Sequence, residues 1–270
     1  MAIIYVHLVR HAQGFHNLCE ANHALPDPDL TPLGEEQCLR LRQTFGLHEK
    51  VTYLVASPLR RTIYTCLLSF EPAILAGKKK IIALPDLQEV SPFPCDTGSE
   101  VEDLVKEFGE KVDFGRVQEG WNDKGPGSEF APEMRKLEAR AARARRWFWE
   151  LGQKEKGEEG EEEVNIVAVT HGGFLHFLTE DWDGMDVGRG TGWDNTECRT
   201  YEVVAPESEG GEGEQKGKGN VRLVETKESW RRRRGSAGGL TETEQMELRA
   251  AVGEVLEGNL FAPKKKEGRN

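Results

Sequence analysis

The chain has 270 residues, 37% of them hydrophobic, enough to bury one sizeable core or two small ones. A formal net charge of -11 argues against general binding to nucleic acid or anionic membranes, yet leaves room for a small anionic substrate held by local charge. Five cysteines (Cys19, Cys38, Cys66, Cys95 and Cys198) are odd in number and lack C-x-x-C spacing, which suits reduced thiols in the cytoplasm rather than disulfides or a zinc site. No charged stretch precedes an apolar core at the N-terminus and no apolar run nears about eighteen residues, so neither a signal peptide nor a membrane span is expected.

Residues 3–9 are an apolar run with β-branched and aromatic members, bounded downstream by Gly14, which reads as a buried parallel strand. Arg10 and His11 then stand at its C-terminal end, where ligands bind in open α/β sheets. A polar, proline-punctuated loop covers 14–30. Thr31 and Pro32 form a helix start, and Leu33, Cys38, Leu41 and Phe45 make one apolar stripe behind it. Residues 51–56 read as a second strand, with Arg60 and Arg61 in the first turn of the next helix. Neighbours on a helix diverge by about 100°, so only one of these two arginines can face a pocket. A third strand at 80–84 leads through Pro85 to Glu89.

Glycines and prolines interrupt 90–131, leaving one short helix at 100–108. An insertion at that place, beside a strand end, is where a substrate lid is expected. The clearest helix is 132–151, whose apolar face runs Met134, Leu137, Ala141, Ala144, Phe148 and Leu151. Arg135, Arg140, Arg143, Arg145 and Arg146 are expected on its solvated side. A charged linker at 155–163 is expected to be mobile. Residues 164–170 then repeat the opening pattern: an apolar strand closing on His171, followed by Gly172 and Gly173 and a helix. Those glycines let backbone N–H groups approach an anion at the helix N-terminus. Trp193 and Asn195, in a glycine-rich loop from 188, are near enough to reach back. Strands at 198–205 and 220–226 flank 206–219, a glycine, glutamate and lysine stretch expected to be a dispensable excursion. Basic runs at 231–234 and 264–266 read as solvated tails, with nuclear import the sharper alternative. Thr241 and Glu244 have capping-box spacing at the start of a closing helix.

Four of these segments carry a resemblance. Arg10-His11-Ala12-Gln13 with Asn17, Ser57-Pro58-Leu59-Arg60-Arg61-Thr62 with Thr65, Leu87-Gln88-Glu89, and Thr170-His171-Gly172 resemble, in order, the motifs of the histidine phosphatase superfamily in its phosphoglycerate-mutase-like branch. Ala12 departs from the family glycine and is expected to add a methyl close to the reacting histidine. The resemblance implies an α/β fold, a single domain over 1–270 built as a three-layer αβα sandwich on a mostly parallel sheet. It implies His11 as nucleophile and Glu89 as proton donor, with Arg10, Arg61 and His171 around the phosphate. Gln13, Asn17 and Gly172 would bind phosphate or substrate. No metal and no cofactor are implied.

The chemistry asks for those residue types. Phosphoryl transfer needs charge compensation on the equatorial oxygens, which Arg10, Arg61 and a positive His171 would supply. The attacking nitrogen of His11 must be unprotonated, and a bond from its other nitrogen to a backbone carbonyl would fix that tautomer. Glu89 must be partly desolvated to hold a proton for the leaving alkoxide. The expected activity is hydrolysis of a phosphomonoester of a small metabolite. A phosphomutase is the first alternative, and a silent phosphate-binding or interaction protein on the same fold the second. Mutase relatives follow the glutamate with Arg-His-Tyr-Gly. Here Val90-Ser91-Pro92-Phe93 follows, and the stretch to Glu110 holds six acids against Lys106 alone. That favours hydrolysis, unless Arg116 or Lys124 folds back. His7, His11 and His16 are a weak metal alternative, since no acid or cysteine lies at ligand spacing. Neither nucleic acid nor membrane is an expected partner, and the expected location is cytoplasmic, with the nucleus second.

Overall fold

The computed structural model describes residues 2–154, 163–186, 190–205 and 220–261, the last six as backbone only. Along the chain run β1 (Ile3–Arg10), α1 (Pro32–Thr44), β2 (Val51–Ala56), α2 (Arg60–Ser69), α3 (Glu71–Gly77), β3 (Ile81–Ala83), α4 (Val101–Phe108) and β4 (Val112–Asp113). There follow α5 (Met134–Lys154), β5 (Glu163–Thr170), α6 (Gly172–Thr179), β6 (Cys198–Val204), β7 (Arg222–Glu225), α7 (Lys227–Arg234) and α8 (Glu242–Phe261). The strands form one mixed sheet in the order β4-β3-β2-β5-β1-β6-β7. Its first five are mutually parallel, and β6 and β7 run antiparallel at one edge.

The apolar runs are continuous because the sheet is covered on both faces. Ile4, Val6 and Leu8 of β1, with Val164, Ile166 and Ala168 of β5, pack under α5 and α6. Val9, Val167 and Val169 point the other way, into a second cluster with Leu41 of α1, Ile63 and Cys66 of α2, and Leu104 and Phe108 of α4. Each fully buried side chain of this size contributes about 1.5–3 kcal/mol relative to exposure. The αβα sandwich is therefore the expected one.

Local signals act as read. The Thr31 hydroxyl accepts from the Gly34 N–H with Pro32 in the first turn, and Thr241 and Glu244 cap each other at α8. Three expectations are corrected. Arg140 and Arg145 are buried rather than solvated. Arg145 donates to the carbonyls of Phe177 and Leu178, the orphan acceptors at the C-terminal end of α6, and to that of Val221, so its charge is spent inside. The run 231–234 is not a tail: it lies in α7, where Arg233 pairs with Glu225 and Asp181. Glu163, expected in a linker, is the first residue of β5. The rest of that linker, the 206–219 excursion and 264–266 lie outside the described residues. The insertion 90–131 is partly built into the core through β4, Val117 and Trp121. Among the described residues, no helix is long and apolar enough to cross a membrane.

The β1–β5 ladder positions the two histidines. β1 and β5 pair in parallel register through Arg10 against Thr170, and the N–H of His11 donates to the Thr170 carbonyl at 2.9 Å. The residues just past the last rung, His11 and His171, therefore emerge side by side.

Candidate active site

The rings of His11 and His171 are 5.2 Å apart between centroids. His11 Nδ1 lies 2.7 Å from the Ala12 carbonyl oxygen, which can only accept, so the proton sits on Nδ1 and the lone pair on Nε2. Burial, reinforced by the charge of Arg61, holds the His11 pKa well below its usual range. Arg61, in the first turn of α2, is wholly buried. Its Nη2 donates to His171 Nδ1 at 3.0 Å, which leaves the His171 proton on Nε2, where it is shared with Ser57 Oγ at 2.9 Å. Burial and Arg61 keep His171 far below its usual pKa as well. The expected positive charge on His171 is thus corrected: with a guanidinium donating to it, the ring is neutral.

Arg10 ends β1 and donates to the Trp193 carbonyl. The Nε atoms of both Arg10 and Arg61 are buried without a hydrogen-bond partner among the described residues. The 193–197 loop does reach back, Asn195 donating to the His11 carbonyl at 2.8 Å. Glu89 leaves the sheet after β3 and puts its carboxylate at the N-terminus of α6. There Oε1 accepts from the N–H of Val90 and Phe174, both at 2.9 Å, and Oε2 from that of Gly173 at 3.1 Å. A Cβ on Gly173 would lie 2.7 Å from Oε1, so this approach needs glycine. Burial and the neighbouring charge of Asp96 raise the Glu89 pKa, against the N–H groups of Val90 and Gly173 and the charge of Arg61, which lower it.

Residues 6–214 match the sequence profile of the histidine phosphatase superfamily (branch 1). The chain belongs to that superfamily. Phosphoglycerate mutase-like protein 1 of Arabidopsis thaliana is 29% identical over 205 residues, 63% of this chain and 68% of that protein. A probable phosphatase of Schizosaccharomyces pombe is 30% identical over 105 residues, 38% of this chain and 49% of its own. Among solved structures, a mycobacterial glucosyl-3-phosphoglycerate phosphatase aligns with a TM-score of 0.47 at 18% identity, covering 82% of this chain and 96% of that one.

The superfamily's motif residues divide in space. His11, His171, Arg61, Arg10 and Glu89 form one constellation. Gln13 and Asn17 brace the loop beside it: Gln13 Oε1 accepts from the Thr31 hydroxyl at 2.8 Å, and Asn17 Oδ1 from the Gly14 N–H at 3.0 Å. Gly172 starts α6 next to Arg10, whose Nε would stand 3.2 Å from an added Cβ. Ala12 is fully buried in a small cluster with Leu30 and Cys38, and its N–H donates to Thr65 Oγ1 at 3.0 Å. Arg60 points outward to Glu107 and Asp29, as the divergence of helical neighbours requires.

Other residues at the site were not singled out by motif or period. The buried ring of His16 lies 5.3 Å from that of His11, its pKa lowered to about 2 by burial and by Arg61 and Arg10. Asp96 pairs with Arg61 at 2.8 Å and accepts from the Ser91 hydroxyl at 2.5 Å, while the Cys95 carbonyl takes a second Arg61 donor. Lys124, from the same insertion, donates to the Glu89 carbonyl at 2.6 Å, and Arg140 reaches that oxygen at 3.4 Å. Burial and Arg140 lower the Lys124 pKa to about 7. The only sequence signal for Lys124 was its being one of two cations able to fold back. Asp96 had none. Among the described residues no group of three or more His, Cys, Asp or Glu converges as metal ligands would, and both ring nitrogens of His7 are engaged by Thr200 and Asn165.

Proposed function

We propose that this protein hydrolyses phosphomonoesters of small metabolites through a phosphohistidine on His11, with Glu89 as proton donor. The observation that carries the reading is the His11 tautomer: with Nδ1–H spent on the Ala12 carbonyl, Nε2 is a neutral nucleophile beside two arginines that have unspent buried donors. Arg10, Arg61, Lys124 and Arg140 oppose Glu89 and Asp96, a net positive surround for a phosphate dianion. In the first step Nε2 bonds to phosphorus, the ester P–O bond breaks, and the Glu89 proton passes to the departing alkoxide. In the second, water attacks phosphorus, Glu89 takes up its proton, and the P–N bond breaks to release phosphate. The raised pKa of Glu89 suits both halves.

A mutase reading has one observation on its side, the inward fold of Lys124. Against it, that ammonium is bonded to the Glu89 backbone, and the carboxylate of Asp96 lies on Arg61, where it would repel a doubly anionic intermediate. Rapid quench with labelled substrate should trap an acid-labile, base-stable phosphoenzyme. His11→Ala should lower turnover about 10⁴-fold or more. Exhaustive chelation should leave the rate unchanged, since charge compensation comes from side chains. With 3-phosphoglycerate and a trace of 2,3-bisphosphoglycerate, phosphate release should outrun isomer exchange; the reverse would establish the mutase.

A further inference from the structure

Two segments meet in a collar beside the reacting pair: residues 14–25 and 91–96. His23 and Phe93 stack with ring centroids 5.5 Å apart, and Asp27 just beyond donates its N–H to the Pro94 carbonyl. The inner side of the collar touches the chemistry twice, through His16 against His11 and through Asp96 on Arg61. The same two segments carry four large apolar side chains in water: Phe15 is 40% exposed, Leu18 54%, Leu25 40% and Phe93 42%. Elsewhere the exposed residues of this size are Leu33 and Leu39 of α1 and single ones on other segments, which need no explanation. The collar also lacks cations. Neither 14–30 nor 90–105 contains a lysine or arginine, while Glu20, Glu100, Glu102 and Asp103 lie within them and Asp29 is paired with Arg60 of α2.

We infer that this collar receives the alcohol part of the substrate and selects an uncharged, apolar or aromatic alcohol. The inference rests on the reading of His11 above and sharpens its substrate class. Phe15 is the chain neighbour of His16 and Phe93 lies three residues before Asp96, so an alcohol extending from His11 on this side meets them. A carboxylate or second phosphate on that alcohol would meet an acidic surface whose outward guanidinium, Arg60, is already paired with Asp29 and Glu107. The two cations closest to Glu89, Lys124 and Arg140, are bonded to its backbone carbonyl. An aryl or alkyl group would instead remove exposed apolar area of the collar from water.

The test compares three primary alkyl esters of similar leaving-group basicity on the full chain: 2-phenylethyl phosphate, glycerol 3-phosphate and 3-phosphoglycerate. The expected order of kcat/KM is that order, with the first at least about tenfold above the second, the scale of one apolar group in a pocket. Leu18→Ser with Phe93→Ser should bring the ratio of the first two towards one. Leu18→Lys, at an exposed position that tolerates charge, should improve 3-phosphoglycerate relative to the others. A wild-type preference for 3-phosphoglycerate, or a ratio unmoved by both variants, would overturn the collar while leaving the hydrolase reading intact. No turnover of any ester, nor of p-nitrophenyl phosphate, would overturn the hydrolase reading and this inference together.

Discussion

The two sides of the candidate site are built on different principles. The floor is made of strand ends and a helix start: His11 past β1, His171 past β5 and Arg61 in α2, all buried and tied by backbone geometry. The roof is made by the insertion 90–131, whose Asp96, Ser91 and Lys124 arrive on irregular chain and are held by charge and single hydrogen bonds. Groups that must keep sub-ångström geometry sit on the scaffold. Groups that set the local charge sit on the insertion.

Glu89 lies at the seam, its carboxylate cradled by the floor and its carbonyl held by Lys124 from the roof and Arg140 from α5. Its loss should therefore be the largest effect. Glu89→Gln keeps the shape but removes the transferable proton, and kcat for an alkyl phosphate should fall about 10²- to 10⁴-fold. With p-nitrophenyl phosphate, whose leaving group needs little protonation, the fall should be much smaller. Equal losses on both would mean the carboxyl serves geometry alone.

A middle effect is expected where roof meets floor. Asp96→Asn removes the anion that competes with phosphate for Arg61, so inorganic phosphate should inhibit about tenfold more tightly. The free protein should melt earlier, because a buried guanidinium loses its countercharge. Weaker phosphate inhibition would show that Asp96 assists binding rather than opposing it.

The smallest effect concerns the roof alone. Lys124, faced by Arg140, Asp96, Glu89 and Arg61, has its pKa lowered from 10.5 to about 7. Below that pH it is a cation in the site; above it the site loses one positive charge, so KM should climb a few-fold as pH rises through about 7. Lys124→Met should flatten that limb, read after correction for the phosphate's own second ionisation near about 6. The same lowered pKa means the unfolded chain binds the proton more readily between about 7 and 10.5, so Lys124 costs stability at low pH and releases that cost as pH rises. A wild-type KM that stays flat from pH 6 to 9 would contradict the assignment.

The floor was legible in the sequence because periodicity and motif order report on strands and their ends. The runs closing on His11 and His171, the Thr31 cap and the second-arginine position at Arg61 all fell where read. The roof was not, since nothing local distinguishes Asp96 from the other acids of its stretch; only the fold puts it on Arg61. Arg140 and Arg145 misled for a related reason. A helical wheel counts arginine as polar, whereas these side chains bury their stems and spend their donors on the carbonyls of Glu89 and the last turn of α6. Gln13 and Asn17 occupied motif positions, and what they hold is the loop, through Thr31 and Gly14.

The rung between the His11 N–H and the Thr170 carbonyl has a meaning for folding as well. Because His11 and His171 come together only when two central strands, more than a hundred residues apart in sequence, are zipped in one register, a slip by a single residue would turn side chains to opposite faces and separate the rings. Such long-range pairing must overcome a large loop-closure entropy before its contacts form. The pairing of the two histidines therefore rests on the β1–β5 ladder itself and not on the insertion above it.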